Sequence, residues 1–174
     1  IVVDDLSLVN RSLSIITQGD INEVVNVRNS TEFASLSDDI NQTVDALKGY
    51  IKQAEQRIEE ELVLARTIQD ASLPKFFEFP RKEFEIYASM DPAKEVGGDF
   101  YDFFFIDVDK VVLVIADVSG KGIPAALFMM RAKTAIRSLA VRGSTPAEIL
   151  FEANNDLCEG NDAEMFVTAW IGII

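Results

Sequence analysis

The stretch that decides the fold of the second half spans residues 100–127 and reads FYDFFFIDVDKVVLVIADVSGKGIPAAL. Two aromatic and β-branched runs, Phe100–Ile106 and Lys110–Ala116, flank the turn residues Asp107-Val108-Asp109, and this pattern is typical of a β-hairpin. Helical spacing of apolar residues returns directly afterwards, from about Gly122 to Val141. The sequence therefore predicts a hairpin whose second strand leads through a glycine-rich turn into a helix.

Three further segments complete the predicted elements of this half. Phe84–Met90 alternates as a strand does, and Met165–Ile174 predicts a final strand that is hydrophobic enough for a central position. Thr145-Pro146-Ala147-Glu148 combines an N-cap, a proline at the first helical position and a capping box, which predicts a helix to about Glu159. We expect an α+β part in which helices cover one face of a mainly antiparallel sheet.

Composition excludes several classes of protein. The chain has 174 residues, a formal net charge of −13 and no histidine. The negative charge argues against a nucleic-acid binder, and the missing histidine excludes Ser-His-Asp catalysis and His-ligated zinc. Cys158 is the single cysteine, so no internal disulfide can form. No apolar run reaches the roughly 18 to 20 residues that a membrane-spanning helix needs.

The first half carries helical periodicity only. One amphipathic series runs from Val2 to Ile16 and stops at Gly19-Asp20, and a second runs from Phe33 to Ile68 with a stutter at Ile58–Leu62. The narrow apolar stripe of the second series must be covered. Two antiparallel helices folding on each other would cover it. A parallel coiled coil with a second copy is favoured, because the connector of about a dozen residues can run the length of the bundle and return.

Residues 1–50 resemble a HAMP domain, a helical signal relay. The resemblance rests on the first helix, the Gly19-Asp20 stop, a connector with Val24 and Val27, Glu32 at the start of the second helix, and the stripe Ile40, Val44 and Leu47. It implies an all-α parallel coiled coil, a four-helix homodimer, at the cytoplasmic face of a membrane. Residues 51–72 are then a connecting signalling helix, and the membrane would be reached only through a preceding segment.

Two carboxylates lie where apolar strands begin or end. Asp99 starts the strand that leads into the hairpin, and Asp117 follows the run VVLVIA. A charge at the rim of a buried sheet costs free energy unless a cation or hydrogen-bond donors satisfy it. Oxygen ligands without His or Cys select Mg²⁺ or Mn²⁺, while Gly120-Lys121-Gly122 opens a helix whose amides could face an anion. Spacing alone leaves ordinary turn and cap roles equally open.

Residues 62–174 resemble the SpoIIE/RsbU branch of the PPM family of metal-dependent protein serine/threonine phosphatases, and residues 73–174 are the N-terminal portion of such a domain by this resemblance. Four motifs match in order: Ile68-Gln69 with Leu73-Pro74, Glu95 to Asp102 (EVGGDFYD), Asp117 to Leu127 (DVSGKGIPAAL), and Met165 to Thr168 (MFVT). The resemblance implies an α-β-β-α sandwich, of which the chain would hold a truncated N-terminal portion, and a site for two Mn²⁺ or Mg²⁺.

The same resemblance assigns roles to individual residues. It implies that Asp117 bridges the two metals, that Val118 contributes its backbone carbonyl, and that Asp99 supports the cluster. Glu95 and Asp102 are weaker candidates for the outer shell of the metals. Gly120, Lys121 and Gly122 are weak candidates for the phosphate side of the site.

The expected function is therefore that of a metal-dependent phosphoprotein phosphatase regulated by the HAMP-like module. By resemblance, its substrate is a phosphorylated regulatory protein, an anti-sigma-factor antagonist of a bacterial partner-switching pathway. Two further ligating aspartates lie later in the family's domain, so we expect this chain to be a soluble fragment with an incomplete metal site and little or no activity. The alternative is a non-catalytic relay or dimerisation module with a degenerate, partner-binding phosphatase-like domain.

Two other enzyme classes fit poorly. Gly97-Gly98-Asp99-Phe100 lacks the second acidic residue of the GGDEF signature of diguanylate cyclases. Gly120-Lys121-Gly122 lacks the upstream glycine and the Ser/Thr that a P-loop requires.

Overall fold

The computed structural model describes residues 2–75, 83–92 and 94–174. The chain divides into two compact units, Ile1–Glu60 (unit 1) and Glu61–Ile174 (unit 2). The helices and strands, in chain order, are α1 Val2–Thr17, α2 Thr31–Ser72, β1 Phe100–Asp107, β2 Lys110–Val118, α3 Ile123–Val141, α4 Pro146–Cys158 and β3 Val167–Ile173. Within the described ranges, no helix is both long and apolar enough to cross a membrane.

The helices of unit 1 run in the same direction, because the connector between them returns along both. On the side of α2, the Asn41 side chain bonds the backbone of Val25, and Ser37 bonds that of Val27. On the side of α1, Asn29 donates to Asp5 and Ser12 donates to Glu23. In both sets of contacts, the residue number on the helix rises as the number of its partner on the connector falls. Both helices are therefore antiparallel to the connector, which fits the returning path and not the antiparallel helix pair.

The core of unit 1 is small and depends on the extended connector. Val9, Val25 and Val27 are buried together, with four partly buried neighbours: Leu13, Ile16, Phe33 and Ile40. In extended backbone, residues two apart share a face. The inward pair is therefore Val25 and Val27, whereas Val24 is 64% exposed, and its place in the HAMP-like pattern stays a prediction.

The apolar stripe of α2 is only partly covered within one chain. Val44 is buried, but further along the helix the stripe positions Leu47, Ile51, Ala54 and Ile58 are all exposed. Exposed apolar area at helical spacing is typical of a helix that packs against another helix.

Unit 2 is built on a three-stranded antiparallel sheet in the order β1-β2-β3. The predicted hairpin is confirmed, with Phe100 opposite Ala116 and Phe105 opposite Val111. The final strand is also confirmed; it pairs with β2 and lies at one edge of the sheet among the described strands. Phe84–Met90 was predicted as a strand, yet no residue of 83–92 pairs in a ladder.

The two faces of the sheet have different surroundings because strand side chains alternate. One face packs against α3 and α4 around Met129, Ile136 and Ile149, which are almost fully buried. This is the one-sided helix layer that the sequence predicted. We call the opposite side the open face; it presents Ile115 and Trp170, both more than half exposed.

Local chemistry fixes the helices of this layer. Thr145 and Glu148 form the predicted capping box at the start of α4. Arg131 of α3 donates to the backbone oxygens of Asp156 and Glu159, which satisfies carbonyls at the C-terminal end of α4. The bonds from Arg131 join α3 and α4 in one layer. The start of α3 lies beside the end of β2.

Candidate functional site

Three polar residues form one row across the end of the open face. The register places Asp117 opposite Thr168, and Phe100 opposite Ala116. Asp99 precedes Phe100, so continuation of the register brings it opposite Asp117. The hairpin therefore brings the carboxylates of Asp99 and Asp117 to the same end of the sheet.

The two carboxyl groups interact electrostatically. Partial burial, then the negative charge of Asp117, then a hydrogen bond in which protonated Asp99 donates to Asp117, raise the pKa of Asp99 above its usual 3.8. Among the described residues, neither carboxylate forms an ion pair with a lysine or arginine. Two adjacent acids without a cation repel each other once both ionise, and a bound cation removes that cost.

An open cavity of about 850 Å³ lies over this row. Its polar end contains Asp99, Asp117 and Thr168, and its apolar wall contains Tyr101, Ile115 and Trp170. The extended segment Tyr87–Asp91 forms the other side. The segment Phe84–Met90, for which the sequence predicts a strand, therefore overlaps one wall of the cavity and is not a strand of the sheet.

The backbone of Val118 lies close to the loop that carries Asp99. A Cβ added to Gly98 would stand 2.7 Å from the Val118 carbonyl oxygen and 2.8 Å from Val118 Cβ. Such contacts are closer than carbon atoms tolerate, so only glycine allows this approach. The predicted carbonyl ligand and the predicted carboxylates are thus within one small region of the fold.

The donor set fits a hard divalent cation but is small. Carboxylate and carbonyl oxygens are the ligands that Mg²⁺ and Mn²⁺ prefer. Within the part of the chain that the structure describes, no group of three or more His, Cys, Asp or Glu side chains could hold a metal. The Asp99–Asp117 pair could therefore supply only part of a set of metal ligands.

The two weaker candidates, Asp102 and Glu95, do not lie with the Asp99–Asp117 pair. Asp102 lies on the helix face, where Lys133 Nζ at 2.9 Å and Arg137 Nη1 at 2.8 Å both donate to its carboxylate. Its assignment to the outer shell of the metals is wrong, because residues 99 and 102 are an odd number of positions apart and point to opposite faces. Glu95 is exposed in the preceding bend and does not line the cavity.

The glycine-rich turn forms as predicted at the start of α3. Gly120 and Gly122 have positive φ values of 88° and 73°, which favour glycine. Gly122 is the N-cap of α3 and makes no side-chain cap bond, while Lys121 is exposed. The phosphate-side role of these three residues stays a prediction.

Sequence reasoning assigned no site role to two residues that the structure brings close to the pair. Thr168 donates through Oγ1 to the Asp117 carbonyl oxygen over 3.3 Å. Gln69 bonds the backbone of Gly97, two residues before Asp99. Both belong to the quoted motifs, but only strand register and tertiary packing reveal their position.

Comparison with known proteins supports the resemblance. The family "Stage II sporulation protein E (SpoIIE)" matches residues 107–174. The chain is 37% identical over 119 residues to phosphoserine phosphatase RsbU of Bacillus subtilis, which involves 68% of this chain and 35% of RsbU. It is 34% identical over 124 residues to Protein IcfG of Synechocystis, which involves 70% of this chain and 19% of IcfG.

A solved structure shows the same fold. The SiaA-PP2C domain of Pseudomonas aeruginosa superimposes with a TM-score of 0.54 and 27% identity, over 68% of this chain and 49% of that one. The chain thus spans about a third of the length of RsbU and about half of the SiaA domain. Through its second half, the chain belongs to the SpoIIE type of PP2C phosphatase domains.

Proposed function

We propose that this chain contributes half of the cation site of a metal-dependent phosphoprotein phosphatase. The observation that carries the proposal is the pairing of Asp99 and Asp117, two mutually repelling carboxylates at the end of an open sheet face. Two Mn²⁺ or Mg²⁺ ions, when bound, would neutralise phosphate charge and lower the pKa of an attacking water.

The residues of the chain have separate tasks in this proposal. Asp117 and the Val118 carbonyl hold the cations, and Asp99 supports them across the strand pair. Tyr101, Ile115 and Trp170 form an apolar wall on one side of the open cavity, beside the two carboxylates. The proposed reaction requires neither a histidine as general base nor a phosphorylated enzyme intermediate. This agrees with the sequence, which has no histidine.

The substrate is proposed to be a phosphoserine or phosphothreonine on a regulatory protein. RsbU and the related Bacillus subtilis protein RsbP are named phosphoserine phosphatases. The open face, with a cavity of about 850 Å³, is accessible to a side chain presented by another protein. An anti-sigma-factor antagonist of a partner-switching pathway is the substrate that this family membership favours.

The first half is proposed to be a HAMP-like dimeric relay at the cytoplasmic face of a membrane. Helices α1 and α2 run in parallel, and the exposed stripe Leu47, Ile51, Ala54 and Ile58 would pack against a second copy. Because α2 continues without interruption to Ser72, a change in the dimer would reach unit 2 through one helix.

The phosphatase proposal is tested in the complete natural protein that contains this chain. Phosphate release from phosphoserine proteins should require Mn²⁺ or Mg²⁺ and should be lost in Asp117→Ala but kept in Asp162→Ala, which removes an exposed acid of the same unit. This chain alone should release little or no phosphate, because only two carboxylates converge among its described residues. Brisk hydrolysis by this chain alone would contradict the partial-site proposal.

The competing candidate is a non-catalytic, partner-binding platform. The Asp99–Asp117 pair disfavours this candidate, because two adjacent carboxylates repel each other and a partner-binding surface does not need that repulsion. Failure of the complete protein to hydrolyse any phosphoprotein, together with unchanged partner binding in Asp117→Ala, would favour the platform.

A further inference from the structure

The last hydrogen-bonded pair between β2 and β3 is completed by a side chain. The Ser119 N–H donates to the Phe166 carbonyl oxygen over 2.8 Å, as in an antiparallel ladder. The reciprocal Phe166 N–H donates over 3.0 Å to the Ser119 hydroxyl oxygen, where a regular ladder has a backbone carbonyl. Gly120 follows with a φ of 88°, and the chain turns away from the sheet there. The hydroxyl thus takes the place of a carbonyl at the point where the chain leaves the sheet.

The same pair orients the predicted carbonyl ligand. The Val118 C=O and the Ser119 N–H belong to one planar trans peptide unit, so they point in opposite directions. Because the Ser119 N–H is bonded to β3, the Val118 carbonyl points away from β3, toward the side of the sheet on which β1 lies. In agreement with this direction, a Cβ added to Gly98 would stand 2.7 Å from the Val118 carbonyl oxygen. The direction of this carbonyl therefore depends on the bonds between Ser119 and Phe166.

The residue before Val118 is held on the same strand. Asp117 lies opposite Thr168 in the register, and the Thr168 hydroxyl donates to the Asp117 carbonyl oxygen over 3.3 Å. Val118 is the last residue of β2, so no further strand residue supports it on its C-terminal side. Ser119 supplies the support there, and its hydroxyl is the part of that support that a change of side chain can remove.

We propose that Ser119 is a positioning residue, whose hydroxyl holds the end of β2 on β3 and thereby directs the Val118 carbonyl to the cation site. This inference rests on the proposed cation site, in which that carbonyl is a ligand. Without the hydroxyl, the Phe166 N–H loses its acceptor and the turn at Gly120 can begin one residue earlier. The peptide between Val118 and Ser119 would then rotate, and a rotated carbonyl fits the strict coordination geometry of Mg²⁺ poorly.

A second side chain at the start of β3 provides a matched control. The Asn161 amide donates to the Met165 carbonyl oxygen over 2.7 Å, and the Met165 N–H donates to Asn161 Oδ1 over 3.0 Å. These bonds also hold the start of β3, but neither of them involves a residue of β2. Loss of the Asn161 side chain should therefore loosen β3 without a rotation of the Val118 carbonyl.

The test uses this chain and four variants: Ser119→Ala, Ser119→Thr, Asn161→Ala and Asp117→Ala. Ser119→Thr keeps a hydroxyl on a β-branched side chain, which suits extended backbone. Mn²⁺ binding is followed by electron paramagnetic resonance, and amide hydrogen exchange reports on Phe166. The carbon NMR signal of the Val118 carbonyl is followed during titration with Mg²⁺. This last measurement tests the wild type directly and needs no variant to fold.

We expect Ser119→Ala to weaken Mn²⁺ binding roughly tenfold, as is usual when a group that orients a metal ligand is removed. It should also reduce the response of the Val118 carbonyl to Mg²⁺ and accelerate exchange at Phe166. Ser119→Thr should restore wild-type behaviour, and Asn161→Ala should bind Mn²⁺ like the wild type.

Several results would overturn the inference and leave the cation site standing, provided that Asp117→Ala loses Mn²⁺ binding. They are wild-type affinity in Ser119→Ala, equal weakening in Ser119→Ala and Asn161→Ala, no recovery in Ser119→Thr, and a wild-type Val118 carbonyl that does not respond to Mg²⁺. Undiminished Mn²⁺ binding in Asp117→Ala would instead overturn the cation site itself.

Discussion

Two carboxylate sites lie on opposite faces of the same hairpin, and they are satisfied in opposite ways. On the helix face, the Asp102 side chain is 2% exposed and receives hydrogen bonds from both Lys133 and Arg137. On the open face, Asp99 and Asp117 lie side by side, the negative charge of Asp117 helps to raise the pKa of Asp99, and neither forms an ion pair with a described lysine or arginine. The first site is complete within the chain, whereas the second retains capacity for a cation. Pairing with a basic side chain therefore distinguishes Asp102, a structural carboxylate, from Asp99 and Asp117, the candidate ligands, for which no such pair is found among the described residues.

The helix-face site also shows how the protein accommodates buried charge. Lys133 is 10% exposed and Arg137 is 45% exposed, and the Arg137 guanidinium lies 4.1 Å from the centroid of the Phe104 ring. The three charged groups join β1 to α3 through contacts between side chains 31 and 35 residues apart. A buried pair of this kind specifies one register of helix on sheet, and removal of one partner leaves an unpaired charge.

The largest expected effect comes from breaking the compensated site. Asp102→Ala should lower the free energy of unfolding by about 3–5 kcal/mol, because Lys133 is left buried without its carboxylate. Urea unfolding followed by the fluorescence of Trp170, the single tryptophan, measures this change in unit 2.

Asp91→Ala is the matched control, since it removes the exposed, 3.7 Å pair with Arg66. Its effect should not exceed about 0.5 kcal/mol. Equal losses in the two variants would show that the helix-face cluster has no special role in stability.

A smaller effect is expected where the backbone approaches the uncompensated site. Gly98→Ala should cost about 1–3 kcal/mol, because its Cβ must displace the Val118 carbonyl and Ala125 Cβ, at 2.7 and 3.2 Å. Gly97→Ala should cost less, since its nearest neighbour is Pro92 Cβ at 3.3 Å, a side-chain atom. Measured by the same unfolding assay, a Gly97→Ala loss larger than that of Gly98→Ala would refute the tight packing on Val118.

The smallest expected effect is a gain in stability at the open face. Because the pKa of Asp99 is raised in the folded state, the folded protein binds more protons than the unfolded chain above pH 3.8. Stability from this pair is therefore full below pH 3.8 and lost as pH rises through the raised pKa. Asp117→Asn should slightly raise the Tm of the EDTA-treated protein at pH 7, and less at high salt.

This gain should disappear at acidic pH, where Asp99 is protonated in both the folded and the unfolded wild type. A Tm that falls at pH 7 in Asp117→Asn would mean that the two carboxylates stabilise the metal-free protein, contrary to the comparison of the two faces.

Elements with strong local signals were predictable from the sequence, and the placement of isolated polar residues was not. Helix α4 has a capping box, and the hairpin has two apolar runs around a turn, so short-range chemistry determines both. Phe84–Met90 has strand periodicity, but the structure assigns no strand to these residues, because periodicity alone does not determine whether a segment joins a sheet. Asp102 and Asp99 belong to the same sequence motif. However, successive side chains of a strand point to opposite faces of the sheet, so a residue at an even position and one at an odd position lie on different faces.

Unit 1 shows the same division. The returning connector and the two helix ranges follow from apolar spacing and from the stop at Gly19, whose φ of 107° favours glycine. The inward residues of the connector were not predictable, because Val24 and Val25 are both apolar and alternation alone does not say which of them faces the core. The bonds of Asn41 and Ser37 to the connector backbone have no sequence signature.

The most direct test of the cation site is Mn²⁺ binding by isothermal titration calorimetry to this chain and three charge-matched variants. Asp99→Asn and Asp117→Asn remove one charge each from the pair, and Asp162→Asn removes one exposed charge elsewhere in unit 2. The account predicts that Asp117→Asn abolishes binding, that Asp99→Asn weakens it, and that Asp162→Asn leaves it unchanged. Equal binding by all four proteins would show that Mn²⁺ binding depends on none of these carboxylates, and the proposed site would be wrong.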